Sequence, residues 1–250
     1  MFKNQKKIWI TGASSGIGRA VAEKFASEGW KVAVSARRKE LLDELAKNQN
    51  IFSFPLDVTN SKQIEEVFRN VLNEFNDLDI CLFSSGTYEP KDEQSIDPNK
   101  IKNVINVNFL GVIDCVKVVE DYFKNKKSGH ISIVSSIAGY RGLPNSSGYG
   151  PSKAALTNFS ESIYFDFKKF GVRVSIISPG FIKTPLTDKN EFPMPFLKTP
   201  QYAAEKIFNG LIKSNAFEIH FPKGLTLILK LLRILPYKLY LFLVDKLVKR

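Results

Sequence analysis

At 250 residues the chain is the size of one α/β domain and long enough to bury a full core. With 44% hydrophobic and 24% charged residues it falls in the globular class, outside the disordered and fibrous ones. The net charge of +11 is the unusual feature, and residues 223–250 carry seven basic side chains against one acid, a net +6.

The start, "MFKNQKKIWITGASSGIG", passes from a basic stretch directly into an apolar strand. It holds no run long enough for a signal-peptide core, so a cytoplasmic protein is expected. "KIWIT" reads as the first strand, and Gly12, Gly16 and Gly18 follow it at the opening of a helix. Glycines there permit a tight turn and let a pyrophosphate approach the N–H groups and positive end of the helix, which points to a dinucleotide. The second strand, "KVAVSA", ends in Ser35, Arg37 and Arg38 where a carboxylate would hold the ribose of NAD. A guanidinium instead pairs with the 2′-phosphate of NADP, so NADP(H) is expected over NAD(H). The alternative is that both arginines are simply solvated.

"IFSFPL" reads as a third strand. In "TNSKQIEEVFRNVLNEF", Ile64, Val67, Phe68, Val71, Leu72 and Phe75 recur at helical spacing. "DICLFS", "HISIVSS", "VRVSIIS" and "FEIHF" complete about seven strands alternating with helices. Right-handed βαβ units then give a doubly wound parallel sheet with helices on both faces, one domain over residues 1–222. Cys81 and Cys115 sit in apolar runs, which argues against a disulfide framework and fits a reducing compartment. His130 and His220 stand far apart without clustered carboxylates, so no metal is expected. In "YGPSK", Tyr149 and Lys153 are four apart and share a helix face.

Taken together, "TGASSGIG", "LDV" (56–58), "VNFLG" (107–111), "IVSS" (133–136), "YGPSK" (149–153) and "SPGFIKTPL" (178–186) resemble, in order, the motifs of the short-chain dehydrogenase/reductases, over roughly residues 7–222. The resemblance implies a Rossmann-type fold and hydride transfer between a nicotinamide and a carbonyl or secondary alcohol. It gives Tyr149 the proton transfer at the substrate oxygen. Lys153 would hold the nicotinamide ribose and, with the nicotinamide, lower the phenol's pKa. It also gives Ser136 a hydrogen bond to the reacting oxygen, with Ser135 the lesser candidate, and Asn108 a water in the proton relay. Cofactor contacts are implied at Gly12, Ser14, Ser15, Gly16, Ile17 and Gly18, at Asp57 and Val58 beside the adenine, and at Gly86. They continue at Pro179, Gly180, Ile182 and Thr184. The sequence departs from the family where Phe83, Ser84, Ser85 and Gly86 replace Asn-Asn-Ala-Gly, which leaves the cross-linking of the neighbouring strands unassigned. A dimer or tetramer built through the helices around Asn108 and Tyr149 is also implied.

Residues 185–200 form a candidate substrate loop, and its Phe192, Met194, Phe196 and Leu197 suit a hydrophobic ketone or alcohol. The tail, 223–250, is too interrupted by charge to span a bilayer, which needs about 20 consecutive apolar residues. Lys223, Lys230 and Arg233, then Lys238, Asp245 and Lys249, form polar stripes on two leucine-rich segments separated by Pro236. That pattern suits a basic amphipathic helix on the inner, anionic face of a membrane, or packing on the domain or a partner subunit. Nucleic acid is not an expected partner, because the charge clusters on a leucine-rich tail without base-stacking residues. A cofactor-binding sensor on the same fold would have no need for Ser136, Tyr149 and Lys153 together.

Overall fold

Among the described residues, β-branched and aromatic residues in short runs build seven parallel strands: β1 (Lys7–Thr11), β2 (Lys31–Ser35), β3 (Ile51–Ser53), β4 (Ile80–Phe83), β5 (His130–Val134), β6 (Arg173–Pro179) and β7 (Glu218–Phe221). The computed structural model describes residues 5–90 and 96–248. Strand order is β3-β2-β1-β4-β5-β6-β7, with Ile8 opposite Val32 on one side and Ile80 on the other. The order reverses between β1 and β4, so the connections leaving these two strands run to opposite faces and part above their carboxyl ends. A crevice follows from that topology.

The pleat of β1 sorts its side chains: Ile8 and Ile10 face one helical layer, and Trp9 the other. The first layer is α1 (Gly16–Ser27), α2 (Lys39–Leu45) and α7 (Pro200–Lys213). The second is built from α3 (Ser61–Phe75), α5 (Gly111–Lys126) and α6 (Tyr149–Lys168). α4 (Pro98–Ile105) runs into α5 through a π-turn over Asn106–Leu110. α3 buries Ile64, Val67, Phe68, Val71 and Phe75 as its spacing predicts, each worth about 1.5–3 kcal/mol of burial. Asn60 starts it by accepting from the Gln63 amide, and Asn76 ends it in the left-handed conformation.

Both cysteines are free and buried. His130 is buried with Nε2 2.7 Å from Ser175 Oγ, and burial drives its pKa down to about 3, so it is a neutral core residue. β7 leads into α8 (Lys223–Arg233) and α9 (Tyr237–Val248), hinged at Pro236. No helix among the described residues is long and apolar enough to cross a membrane. Lys249 and Arg250, part of the basic tail, lie outside the described residues.

Candidate active site

The connection from β1 to α1 is built on close backbone approaches. Gly12 has φ +71°, and a Cβ there would stand 2.6 Å from the Ser84 carbonyl oxygen, so the loop lies directly against the chain leaving β4. A Cβ on Gly18 would fall 2.4 Å from the Gly12 oxygen, so the first turn of α1 can close on the loop only with glycine. Where the usual asparagines are replaced, the Ser84 amide donates to Thr11 Oγ1 at 3.2 Å and supplies a cross-link between the two strand ends. Above this floor lies a cleft of about 430 Å³, and every cofactor-binding residue named from the sequence lines it, from Gly12 to Thr184.

At one end of the cleft the exposed Arg38 reaches back to the glycine loop. Its Nη2 donates to Ser14 Oγ and Ser15 Oγ, both at 2.8 Å. Arg37 lines the cleft beside it. Ser35 turns inward and accepts from Trp9 Nε1 at 2.9 Å, so no acidic group stands at the end of β2. Asp57 caps the turn that follows β3: its Oδ1 accepts from the amide and hydroxyl of Thr59 at 3.0 and 2.8 Å.

The other end gathers the chemistry. Ser136 follows β5 in extended conformation, and its Oγ accepts from the Ala138 amide at 3.1 Å, opening a 3₁₀ turn over Ile137–Gly139. That turn presses so closely on α6 that a Cβ on Gly139 would lie 2.7 Å from the Lys153 carbonyl oxygen. Ser136 is thereby fixed within hydrogen-bonding reach of the Tyr149 phenol. Ser135 is directed elsewhere, its hydroxyl donating to the Lys153 carbonyl at 2.8 Å. Lys153, one turn along α6, is buried, with Nζ 5.6 Å from the centre of the Tyr149 ring and donating to the Val134 carbonyl at 2.8 Å. Burial pushes its pKa down to about 8.

Burial of Tyr149 works against the lowering expected from Lys153 and the nicotinamide. Desolvation outweighs the hydrogen bond from Ser136, and the phenol is pushed up to about 12. The protein alone therefore holds the phenol protonated at neutral pH, as a proton donor must be. Asn108 sits fully buried in the π-turn. Its Oδ1 accepts from the Thr87 amide at 2.7 Å, and its Nδ2 donates to the Thr87 carbonyl and Ser152 Oγ at 2.9 and 3.1 Å. Its carboxamide thus staples the chain after β4 to α6. Gly86 faces the same corner: a Cβ there would lie in ordinary contact, 3.6 Å from that Oδ1 and 3.7 Å from Lys153 Nζ.

The candidate substrate loop divides. Pro185, Leu186, Thr187 and Lys189 line the cleft, whereas Phe192, Phe196 and Leu197 are exposed on the outside. Sequence reasoning missed Thr187, which accepts from the Thr184 amide at 2.8 Å and donates to the Ile182 carbonyl at 2.7 Å, fixing the loop at its root. It also missed Tyr88, whose ring meets Tyr149 edge-on at 5.5 Å. The only signal for Tyr88 was its place two residues after Gly86.

The chain is similar in sequence and in structure to known proteins. An uncharacterized oxidoreductase of Myxococcus xanthus is 34% identical over 236 residues, covering 92% of this chain and 93% of that protein. The solved structure of a short-chain dehydrogenase from Streptomyces avermitilis superposes with a TM-score of 0.84 at 24% identity, over 99% of this chain and 98% of that one. A structure of ElxO with NADP bound gives a TM-score of 0.77 at 26% identity, over 86% and 97%. The sequence profile of the short chain dehydrogenases matches residues 6–193. The chain belongs to the short chain dehydrogenase family and is an NAD(P)-dependent oxidoreductase.

Proposed function

We propose that the protein reduces hydrophobic ketones with NADPH, or oxidises the corresponding secondary alcohols. The observation that carries the reading is the meeting of Ser136, Tyr149 and Lys153 at one end of a cleft whose other end is a glycine loop. The floor fits a dinucleotide, because Gly12 and Gly18 hold the backbone too closely for side chains and leave the start of α1 facing the cleft. When bound, NADPH supplies the hydride. Tyr149 donates its proton to the substrate oxygen, and Ser136 donates a hydrogen bond to the same atom. Lys153 holds the nicotinamide ribose and keeps positive charge behind the phenol, while Asn108 positions α6 against the chain after β4. Asp57 and Val58 flank the adenine; Gly86, Pro179, Gly180, Ile182 and Thr184 form the nicotinamide end.

Preference for NADP rests on Arg38, already oriented by Ser14 and Ser15, on Arg37 beside it, and on the lack of a carboxylate at Ser35. Residues 1–222 make the catalytic domain and 223–250 an appended tail. Leu110 and Phe165, exposed on the π-turn and α6, suit the homo-oligomer contact. NADPH oxidation followed by absorbance across ketones and 3-oxoacyl compounds of rising chain length tests the reading. Turnover that rises with chain length and disappears in Tyr149→Phe supports it. A preference for short polar carbonyls overturns the hydrophobic substrate, and undiminished turnover in the variant overturns the role of Tyr149.

A further inference from the structure

The tail hides one side and leaves the other bare. Leu225 of α8 is buried with Ile137 and Tyr140, next to Ser136, and Phe181 and Leu229 pack on them. Across the helix pair, Leu227, Leu231, Ile234 and Leu241 are 56%, 62%, 76% and 60% exposed. This bare face is held in place. Arg141 Nη1 donates to the carbonyls of Leu232, Arg233 and Leu235 at 2.9, 3.1 and 2.7 Å, capping the end of α8. The same guanidinium lies 4.7 and 4.0 Å from the ring centres of Tyr237 and Tyr240. Tyr240 Oη donates to the Gly142 carbonyl at 2.5 Å, so both helices are fastened to the loop between Ser136 and Tyr149.

The bare face adjoins the substrate loop, because a Cβ on Gly224 would stand 3.3 Å from the Phe196 ring. It is also ringed by cations: Lys223, Arg233, Lys238 and Lys246 are exposed, within a segment of net +6. A second copy seated here by two-fold symmetry would set those charges against one another. An anionic lipid surface takes both features at once, with leucines at the acyl boundary and basic heads among the phosphates. We propose that the outer face of α8 and α9, with the exposed rim of the substrate loop, docks on an anionic lipid surface and places the cleft mouth at the bilayer. Entry of substrate from that bilayer rests on the hydrophobic-ketone reading; the docking itself does not.

The test is co-sedimentation of the full chain, without substrate, with vesicles of phosphatidylcholine alone and of phosphatidylcholine mixed with phosphatidylglycerol. Binding to the anionic vesicles should fall with salt. Leu231→Asp combined with Leu241→Asp should weaken it at least about tenfold with NADPH affinity unchanged. Lys238→Glu with Lys246→Glu should erase the preference for phosphatidylglycerol. Failure to bind anionic vesicles, or binding that the Asp variant leaves intact, overturns the proposal. So does an Asp variant that turns a dimer into monomers without changing vesicle binding. Since no turnover enters the assay, failure of the ketone reading would leave its outcome standing.

Discussion

Replacing Arg38 with alanine removes a guanidinium whose Nη2 stands 2.8 Å from two hydroxyls of the glycine loop. In the proposed complex that group also meets the 2′-phosphate of NADP. A hydrogen bond between charged partners contributes about 1.5–3 kcal/mol, and each 1.4 kcal/mol is tenfold, so the NADPH dissociation constant should rise about 10- to 100-fold. NADH has no such phosphate and loses only the ordering of Ser14 and Ser15. Its constant should move by no more than about twofold, the range of an ordinary surface substitution. Arg37→Glu should act in the same direction by setting a carboxylate against the phosphate. Calorimetric titration of both cofactors at one salt concentration reads the difference. Equal weakening of NADPH and NADH by Arg38→Ala would refute the phosphate contact and leave Arg38 as a clamp on the loop.

Lys153, depressed to about 8, binds no proton in the folded chain where the unfolded chain still does, up to its ordinary pKa near 10.4. The contribution of Lys153 to stability should therefore rise from about pH 8 to 10.4, while the buried Cys81 and Cys115 thiols, raised by desolvation, act in the opposite direction. The gap in denaturant midpoint between the native chain and Lys153→Met should accordingly change across that window in favour of the native chain. The reductive rate should hold level to about pH 8 and then fall as Lys153 loses its charge, while Tyr149, pushed up to about 12, stays protonated. A rate that climbs through pH 9 would contradict this. Arg141→Ala strips the donor from three carbonyls, and limited proteolysis within 223–248 should speed up roughly tenfold or more. Arg141→Lys should rescue little, for lysine lacks the planar fork that stacks on Tyr237 and Tyr240. Unchanged cleavage would show that the clasp does not hold the tail.

The sheet was legible because each strand is a short β-branched run bounded by glycine, proline or a polar turn, and β1 begins and ends where "KIWIT" does. β3 is regular only over Ile51–Ser53, yet the Phe54 and Leu56 amides still donate to the Val34 and Ala36 carbonyls at 2.9 and 3.0 Å, so the rest of "IFSFPL" stays alongside the chain of β2. The glycine loop was legible for a stronger reason: Gly12 and Gly18 meet backbone atoms at distances no other residue permits. The π-turn at Asn106–Leu110 was not, since a single inserted residue hardly disturbs helical periodicity, and it is the π-turn that carries Asn108. The titration of Tyr149 depends on how much protein surrounds the phenol, a three-dimensional quantity that the Tyr149–Lys153 spacing does not encode. Arg141 was invisible for a related reason. Its partners lie more than 90 positions away, and it reads locally as one more basic residue in a loop.

In the proposed reaction this cleft moves a hydride to a carbonyl carbon while Tyr149 delivers the proton. The most direct measurement uses NADPH deuterated at both C4 positions with a long-chain ketone, and mass analysis of the alcohol. One deuterium on the carbinol carbon is predicted. Its formation should be slowed about 10²- to 10⁴-fold in Tyr149→Phe at unchanged NADPH affinity. Alcohol without deuterium, or deuterium delivered as fast by the variant, would contradict the account.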